Sequence, residues 1–405
     1  MTLGRSTDPD GFAAGSAATS SAFAAAGQEP RLVIVFCSPA YDVAAVLHGI
    51  CSQTPDDVPI TGVTTDGEIG LQAAGNSAGP NGGDQNSGNQ HADPQAPSVL
   101  VTVLGGDTLT VHAEMVRDLS ADQHAAGTAV AKVMNGVDAP HRVLMLLLDG
   151  LTANHEVVWG AYAELGVSVP IVGGCAADGD QHVVTYQFYG TGATAEVLTD
   201  TVIGIGIGST APIGIGIEHG WEKFGDAMVV TSSEGGEVHL LDDEPALDVY
   251  LRRLGMDREQ FAARKPFLSE SVRIPLAMSR RFGEDIRLAH AGDLDTGSIH
   301  CLADIPQGAM VWTMRSDTDS LVNAASRSAG SAVRALDDAP LAGMLVFDCG
   351  GRRLRLGDAV PAEHQALRQA TDGAPVAGFY SFGEVARTRG ARGLHHLTVV
   401  TLAFA

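Results

Sequence analysis

Three stretches of the chain share one pattern: an apolar run, a stretch of helical spacing, then a second apolar run led by proline and closed by glycine. The first is LVIVFCS at 32–38, a helix over 40–52 and VPITGVTTDGEIG at 58–70. The second is VLMLLLD at 143–149, a helix over 154–165 and VPIVGGCAADG at 169–179. The third is MLVFDCG at 344–350, a helix over 361–371 and APVAGFYSFGEVA at 374–386. Continuous apolar strands joined by crossover helices predict βαβ units whose strands are covered on both faces. Pro59 precedes Gly67-Glu68 by eight positions, Pro375 precedes Gly383-Glu384 by eight, and the same offset from Pro170 reaches Asp178. Upstream, Asp118 and Asp317 each lead into an Ala-rich helix, over 124–134 and 323–335, and Asp149 and Asp348 each follow 31 residues later. Either the segments share ancestry or two βαβ units simply look alike; unequal spacings exclude a fixed-period solenoid.

Ile and Gly alternate over 201–217, TVIGIGIGSTAPIGIGI, which predicts a hairpin about Ser-Thr-Ala-Pro with one bare glycine face. A packed helix is the preferred occupant of that face, a ligand the alternative. AMVVTSSEG at 227–235 reads as a strand and EPALDVYLRRLG at 244–255 as a helix stopped by Gly255. Residues 1–27 read as an Ala-rich helical region rather than a cleaved signal, because Asp8 and Asp10 precede the Phe12–Ala26 run. Residues 73–98 are so poor in large apolar side chains that a disordered insert is expected. These elements predict an α/β fold: two lobes of mixed β-sheet with crossover helices, containing repeated βαβ units. The first lobe spans 28–240 and the second 241–405.

A length of 405 residues suits two domains, and 45% apolar content is globular. Against 48 acidic residues stand 25 Lys and Arg, a formal charge of −23, which argues against nucleic acid and anionic membrane as partners. The five cysteines are odd in number and form no CxxC, so neither a disulfide framework nor a zinc site is expected, and a cytoplasmic location fits. Apolar runs such as Val143–Leu148 fall far short of the roughly 20 residues that span a bilayer.

The strand exits carry the candidate chemistry. Gly67 and Gly383 suit a positive φ or a close backbone approach, and Glu68 and Glu384 follow them where α/β sheets gather ligands. Each Glu either holds a ligand amine or is spent on a cap or an ion pair. Arg352 either grips a ligand carboxylate through its planar fork or satisfies the protein's own groups. Cys349 is a nucleophile with His395 or His396 as base, or, more commonly for a strand cysteine, a buried thiol. Asp149 and Asp348 end equivalent strands; capping is preferred for Asp149. His155 has Trp159 one helical turn away, the arrangement of a haem-facing pair, but without C-x-x-C-H. GIGIGIG lacks the lysine and spacing of a phosphate loop.

These motifs together resemble the FIST family. GVTTDGEIG at 62–70, VPIVGGCAADG at 169–179, Gly220-Trp221 and PALDVY at 245–250 resemble FIST-N and junction motifs. VFDCGGRRLRLG at 346–357, GFYSFGEVA at 378–386 and HHLTVVTLAF at 395–404 resemble FIST-C. Asp66 and Cys175 depart from the usual residues. The resemblance implies a bacterial signal-input protein that binds a small intracellular ligand such as an amino acid, is not an enzyme, and carries no output domain of its own. Its expected partners are that ligand and a separately encoded signalling protein. The ligand-binding set is expected among Thr64, Thr65, Gly67, Glu68, Gly173, Gly174, Asp178, Cys349, Arg352, Tyr380, Gly383 and Glu384, with no metal and no cofactor. The alternatives are a haem-based nitric-oxide or gas sensor using His155 and a thiol-dependent enzyme using Cys349.

Overall fold

All three predicted units form. In the computed structural model, which describes residues 1–72, 97–179, 181–263, 267–280, 283–388 and 393–405, strand Pro30–Cys37 runs parallel to Pro59–Thr64 across helix Val43–Cys51. His141–Leu148 runs parallel to Ile171–Cys175 across helix His155–Leu165. Gly343–Cys349 runs parallel to Val376–Ser381 across helices Gly350–Leu356 and Val360–Ala370. The register is the same each time. The residue after the leading proline, Ile60, Ile171 or Val376, sits opposite Val33, Leu144 or Met344. The expected insert at 73–98 lies outside the described residues apart from Pro97 and Ser98, and Ser98 is buried.

Each parallel pair is the centre of a mixed sheet with the same strand order. In the first sheet an edge strand, Thr2–Ser6, pairs with Val99–Gly105, which pairs antiparallel with the first strand of the unit. Leu109–Arg117 and Thr201–Ser209 hold those places in the second sheet, and Ile213–Glu218 and Val399–Phe404 in the third. The far side of each pair is completed by a strand lent from another unit. Glu68–Leu71, leaving the first unit, joins the third sheet; Glu384–Arg387, leaving the third, joins the second; Gln187–Thr191, leaving the second, joins the first. The three units therefore close a ring within one chain.

Burial explains why the strands read as continuous apolar runs. One face of every sheet looks into a shared core, where Ile34 and Phe36 meet Met145 and Leu147 and also Leu345 and Phe347. The Phe379 ring lies 4.9 Å from Phe36 and 5.9 Å from Phe347, centroid to centroid. The opposite face of each sheet is roofed by its own helix pair, with a separate apolar cluster beneath.

The Ile-Gly segment behaves differently from the predicted hairpin. Thr201–Ser209 lies inside the second sheet and Ile213–Glu218 edges the third, so Thr210–Pro212 hands the chain from sheet to sheet. Alternation fixes the pleat but not the pairing partner. The glycine face does take a helix: a Cβ on Gly214 or Gly216 would lie 1.9 Å from Ala332 O or Ser328 O of helix Thr318–Arg334.

The third unit is interrupted between Glu218 and Thr318 by an inserted lobe. Its sheet runs Gly283–Arg287, Leu276–Arg280, Met310–Arg315, Glu222–Glu234, Glu237–Leu241, Ile299–Cys301, Ala289–Gly292, around a core of its own that includes Met228, Leu247 and Tyr250. Residue 240 falls in strand Glu237–Leu241, inside this lobe.

Candidate functional site

The carboxyl ends of all three strand pairs open on one cleft of about 2190 Å³. Ser38–Ala40 and Thr65–Glu68 come from the first unit, Gly150, Leu151, Cys175 and Asp178 from the second, and Cys349–Gly351 and Tyr380–Gly383 from the third. The inserted lobe adds Phe267, Leu268, Leu288, His290 and Leu302 along one wall. Ends of parallel strands are where α/β sheets concentrate polar groups and ligands; here the ring of units brings six such ends together.

The carboxylates at the three exits have different surroundings. Glu68 accepts hydrogen bonds from Thr65 Oγ1 at 2.6 Å and from the Ser98 hydroxyl, and it stays partly exposed to the cleft. Burial pushes its carboxyl up from the ordinary range, opposed by those hydroxyls and by Arg5. Arg5 lines the cleft and donates to Ser98 Oγ at 3.2 Å, so it is joined to Glu68 through one hydroxyl. Asp178 is spent on its own loop, accepting from the backbone N–H groups of His182, Val183 and Val184 at 2.9, 2.6 and 2.9 Å. Glu384 is fully buried, accepting from Ser381 Oγ at 2.7 Å and Thr398 N at 3.1 Å, and burial holds its carboxyl well above the usual range.

Several sequence candidates fall elsewhere. Arg352 is not at the cleft: its guanidinium is completely buried between Asp348, at 2.6 Å, and Glu363, and also donates to the carbonyls of His219 and Leu321. It is a core ion pair, and the adjacent Arg353 turns to the cleft, bonding Asp66 and lying over the Tyr380 ring. Gly173 and Gly174 are buried strand residues: a Cβ on Gly173 would sit 1.9 Å from Leu146 O, and one on Gly174 3.0 Å from the Phe379 ring. Thr64 is buried and ties the first unit to Tyr186, whose N–H it accepts at 3.0 Å. Tyr380 lines the cleft wall, but its hydroxyl points inward to Glu363 at 3.0 Å. Gly67 has the expected positive φ, 120°, whereas Gly383 does not; there the constraint is the Cys175 sulfur, which would lie 3.3 Å from a Cβ added to the glycine.

Cys349 lines the cleft floor, yet burial pushes its thiol well above the ordinary range, with Glu384 adding to the effect. Of the two bases suggested for it, His395 instead shares a hydrogen bond with the Ala386 carbonyl at 3.0 Å, and burial lowers the His396 imidazole to about 3. Asp149 caps the turn after its strand, accepting from Leu151 N and Thr152 N at 2.9 and 3.0 Å. His155 packs edge-on against Trp159, 4.9 Å between centroids, as the helical spacing predicted, but the pair is outside the cleft, near Asp304 of the inserted lobe. Among the described residues no group of three or more His, Cys, Asp or Glu is placed to hold a metal ion. No described helix is long and apolar enough to cross a membrane.

Arg5 and Arg353 line the cleft without having stood out as site residues, and so does His396, which the sequence suggested only as a base for Cys349. Arg353 was separable from Arg352 only by helix orientation, and Arg5 lies in a segment whose composition signalled nothing but a helix.

The architecture defines an α/β protein with a large cleft at its strand ends. Within that class the chain belongs to the FIST family: the FIST N domain matches residues 31–244 and the FIST C domain residues 246–387. FIST domains are associated with sensory signal transduction. Among curated proteins, an uncharacterized protein of Mycobacterium tuberculosis (strain ATCC 25618 / H37Rv) is 25% identical over 238 residues, 58% of this chain and 60% of the relative. One of Mycobacterium bovis (strain ATCC BAA-935 / AF2122/97) is 25% identical over 250 residues, with the same coverage. The match thus spans about 60% of the length of these relatives. A chorismatase crystal structure overlaps 94% of this chain and 95% of its own at 11% identity, with a TM-score of 0.32, too distant a likeness to inform function.

Proposed function

We propose that the chain is a cytoplasmic sensor that binds a small zwitterion, such as an amino acid, in the strand-end cleft and passes the signal to a separately encoded partner. Glu68 takes the ligand's amino group and Arg5 its carboxylate. The observation that carries this reading is the contrast among the three exit carboxylates. Asp178 and Glu384 are enclosed by protein donors, while Glu68 remains partly exposed in the cleft, beside a guanidinium. Binding without turnover is favoured because the Cys349 thiol is held protonated by burial, and of its two candidate bases His395 is engaged by a backbone carbonyl and His396 is lowered by burial to about 3, too weak a base to take the thiol proton. The test is a thermal-shift screen of amino acids, followed by calorimetry of any hit on Glu68→Gln and Arg5→Ala. Weakened binding in both supports the assignment. No melting shift from any zwitterion at millimolar concentration, or parent-like affinity in both variants, sinks it.

A further inference from the structure

His396 is the residue that the fold leaves without a local role. It is 6% exposed, lines the cleft, and neither ring nitrogen has a partner in hydrogen-bonding geometry among the described residues. Its neighbour His395, similarly enclosed, is paired with a backbone carbonyl. Buried polar atoms are nearly always satisfied, and one that is not calls for a reason.

The backbone holds His396 there at a cost. Leu397, the next residue, has φ 57°, a left-handed conformation that a branched side chain rarely adopts. The corner is locked because the Leu397 side chain is fully buried and Thr398 N donates to Glu384. Strain of this kind clusters at binding sites, and here it lies next to a cleft-lining residue.

The surroundings define what the ring meets. Leu394, Phe382 and Gly383 line the cleft on the strand side, and Leu288 and His290 on the inserted lobe. His182 is stacked on Phe382, 4.8 Å between centroids. Burial lowers the His396 imidazole to about 3, with Arg287, His395 and His290 adding to the effect and the approach of the Phe382 backbone, short of hydrogen-bonding geometry, opposing it, so the ring is neutral at physiological pH. A neutral imidazole offers one donor and one acceptor.

We propose that His396 and the flanking apolar side chains form a second subsite of the cleft, which takes an uncharged, hydrogen-bonding group carried on an apolar or aromatic body. This rests on the sensor reading above and extends it. The ligand class narrows to amphiphilic molecules with a charged end for Glu68 and Arg5 and a neutral amide-like or ring-borne polar group for His396. Simple glycine-like zwitterions leave the second subsite empty.

The test uses the full chain labelled with 15N-histidine and three fragments of similar size: benzamide, benzoate and toluene. Benzamide is expected to move the His396 ring-nitrogen resonances and to bind about tenfold or more tightly than either of the others, the scale of one buried hydrogen bond to a polar site. His396→Leu is expected to abolish that preference while raising the melting temperature, since it removes an unsatisfied polar group. His396→Gln, which keeps a donor and an acceptor, is expected to retain part of the preference. Equal binding of benzamide and toluene, a preference that survives in His396→Leu, ring nitrogens that respond to no fragment, or a lower melting temperature in His396→Leu would each overturn the proposal. Benzamide carries no charged end, so its binding does not depend on the zwitterion contacts. Failure of amino acids to bind while benzamide still does therefore counts against the zwitterion reading alone, and the reverse outcome against this subsite alone.

Discussion

The first and third units leave their sheets through matching sequences, Thr65-Asp66-Gly67-Glu68 and Ser381-Phe382-Gly383-Glu384, and the two exits end in opposite environments. Locally they are alike: in each, a hydroxyl three residues before the carboxylate bonds it, at 2.6 Å from Thr65 and 2.7 Å from Ser381. The difference comes from what lies beyond. Glu384–Arg387 has Leu394–His395 paired on its outer side and Thr398 N closing over the carboxylate. Glu68–Leu71 is the edge strand of the third sheet. A turn motif thus sets hydrogen bonds within four residues, while distant chain decides whether its carboxylate is core or surface.

The largest expected effect tests the buried side of that contrast. Arg352→Ala should destabilise the fold by roughly 3–5 kcal/mol, because Asp348 and Glu363 would be left as buried carboxylates without their cation. Arg353→Ala removes a partly exposed pair with Asp66 and should cost no more than about 1 kcal/mol. Urea unfolding of both variants checks this; equal losses would erase the distinction between the two neighbouring arginines.

Next in size is the open side. Glu68→Gln should weaken zwitterion binding roughly tenfold or more, since a charge-assisted hydrogen bond contributes on the order of 1.5–3 kcal/mol. Its unfolding midpoint should stay close to the parent's, because the Gln amide can accept from one of the Thr65 and Ser98 hydroxyls through its carbonyl and donate to the other through its NH2. Calorimetry and urea unfolding on one preparation separate the two effects, and a variant that unfolds early while binding normally would reverse the assignment.

Much of this contrast was hidden in the sequence for identifiable reasons. The βαβ units were legible because strands buried on both faces read as unbroken apolar runs, and the eight-residue offset from Pro59, Pro170 and Pro375 fixed a common register. The convergence of Thr65, Glu68, Cys349 and Gly383 on a cleft followed from parallel strands ending together. The ring closure did not show, because the partner of a lent strand such as Glu68–Leu71 lies some 300 residues away. The Ile-Gly run looked like a hairpin since period two is the same whether neighbours belong to one sheet or two. Arg352 and Arg353 differ only in which side of a short helix they occupy, and no adjacent residue signals that. His396 stands in the HHLTVVTLAF run and suggested only a base for Cys349; its lack of a partner is what only coordinates reveal.

A smaller effect separates the two motif glycines. Gly67 has φ 120°, where a side chain is strained, and a Cβ would also lie 3.2 Å from the Arg353 guanidinium. Gly67→Ala should cost about 1–3 kcal/mol. Gly383 has no positive φ, and its Cβ would meet the Cys175 sulfur at 3.3 Å and Leu394 at 3.4 Å, contacts that small side-chain shifts relieve. Gly383→Ala should therefore cost about 1 kcal/mol, the low end of overpacking. Thermal melts of both variants decide the order, and a larger loss at Gly383 would mean that contact, not backbone conformation, governs these turns.

The smallest effect is a slope. Burial raises the Glu384 carboxyl well above its ordinary 4.5, so the native state keeps a proton that the unfolded chain releases. Its contribution to stability is whole below pH 4.5 and is lost as pH rises toward the raised native value, at up to about 1.4 kcal/mol per pH unit. Glu384→Gln carries a neutral group in both states and cannot titrate. Its stability should fall less steeply than the parent's as pH rises above 4.5, even though Asp348, also raised by burial, still contributes in both proteins. Glu68 is raised as well, but it sits at the cleft with two hydroxyls and Arg5 favouring its charged form. Glu68→Gln should therefore flatten the profile less than Glu384→Gln does. Urea midpoints measured every half unit from about pH 4 upward give the three slopes. Identical slopes for parent and Glu384→Gln would place the third exit's carboxylate in contact with solvent, and the two exits would no longer differ in kind.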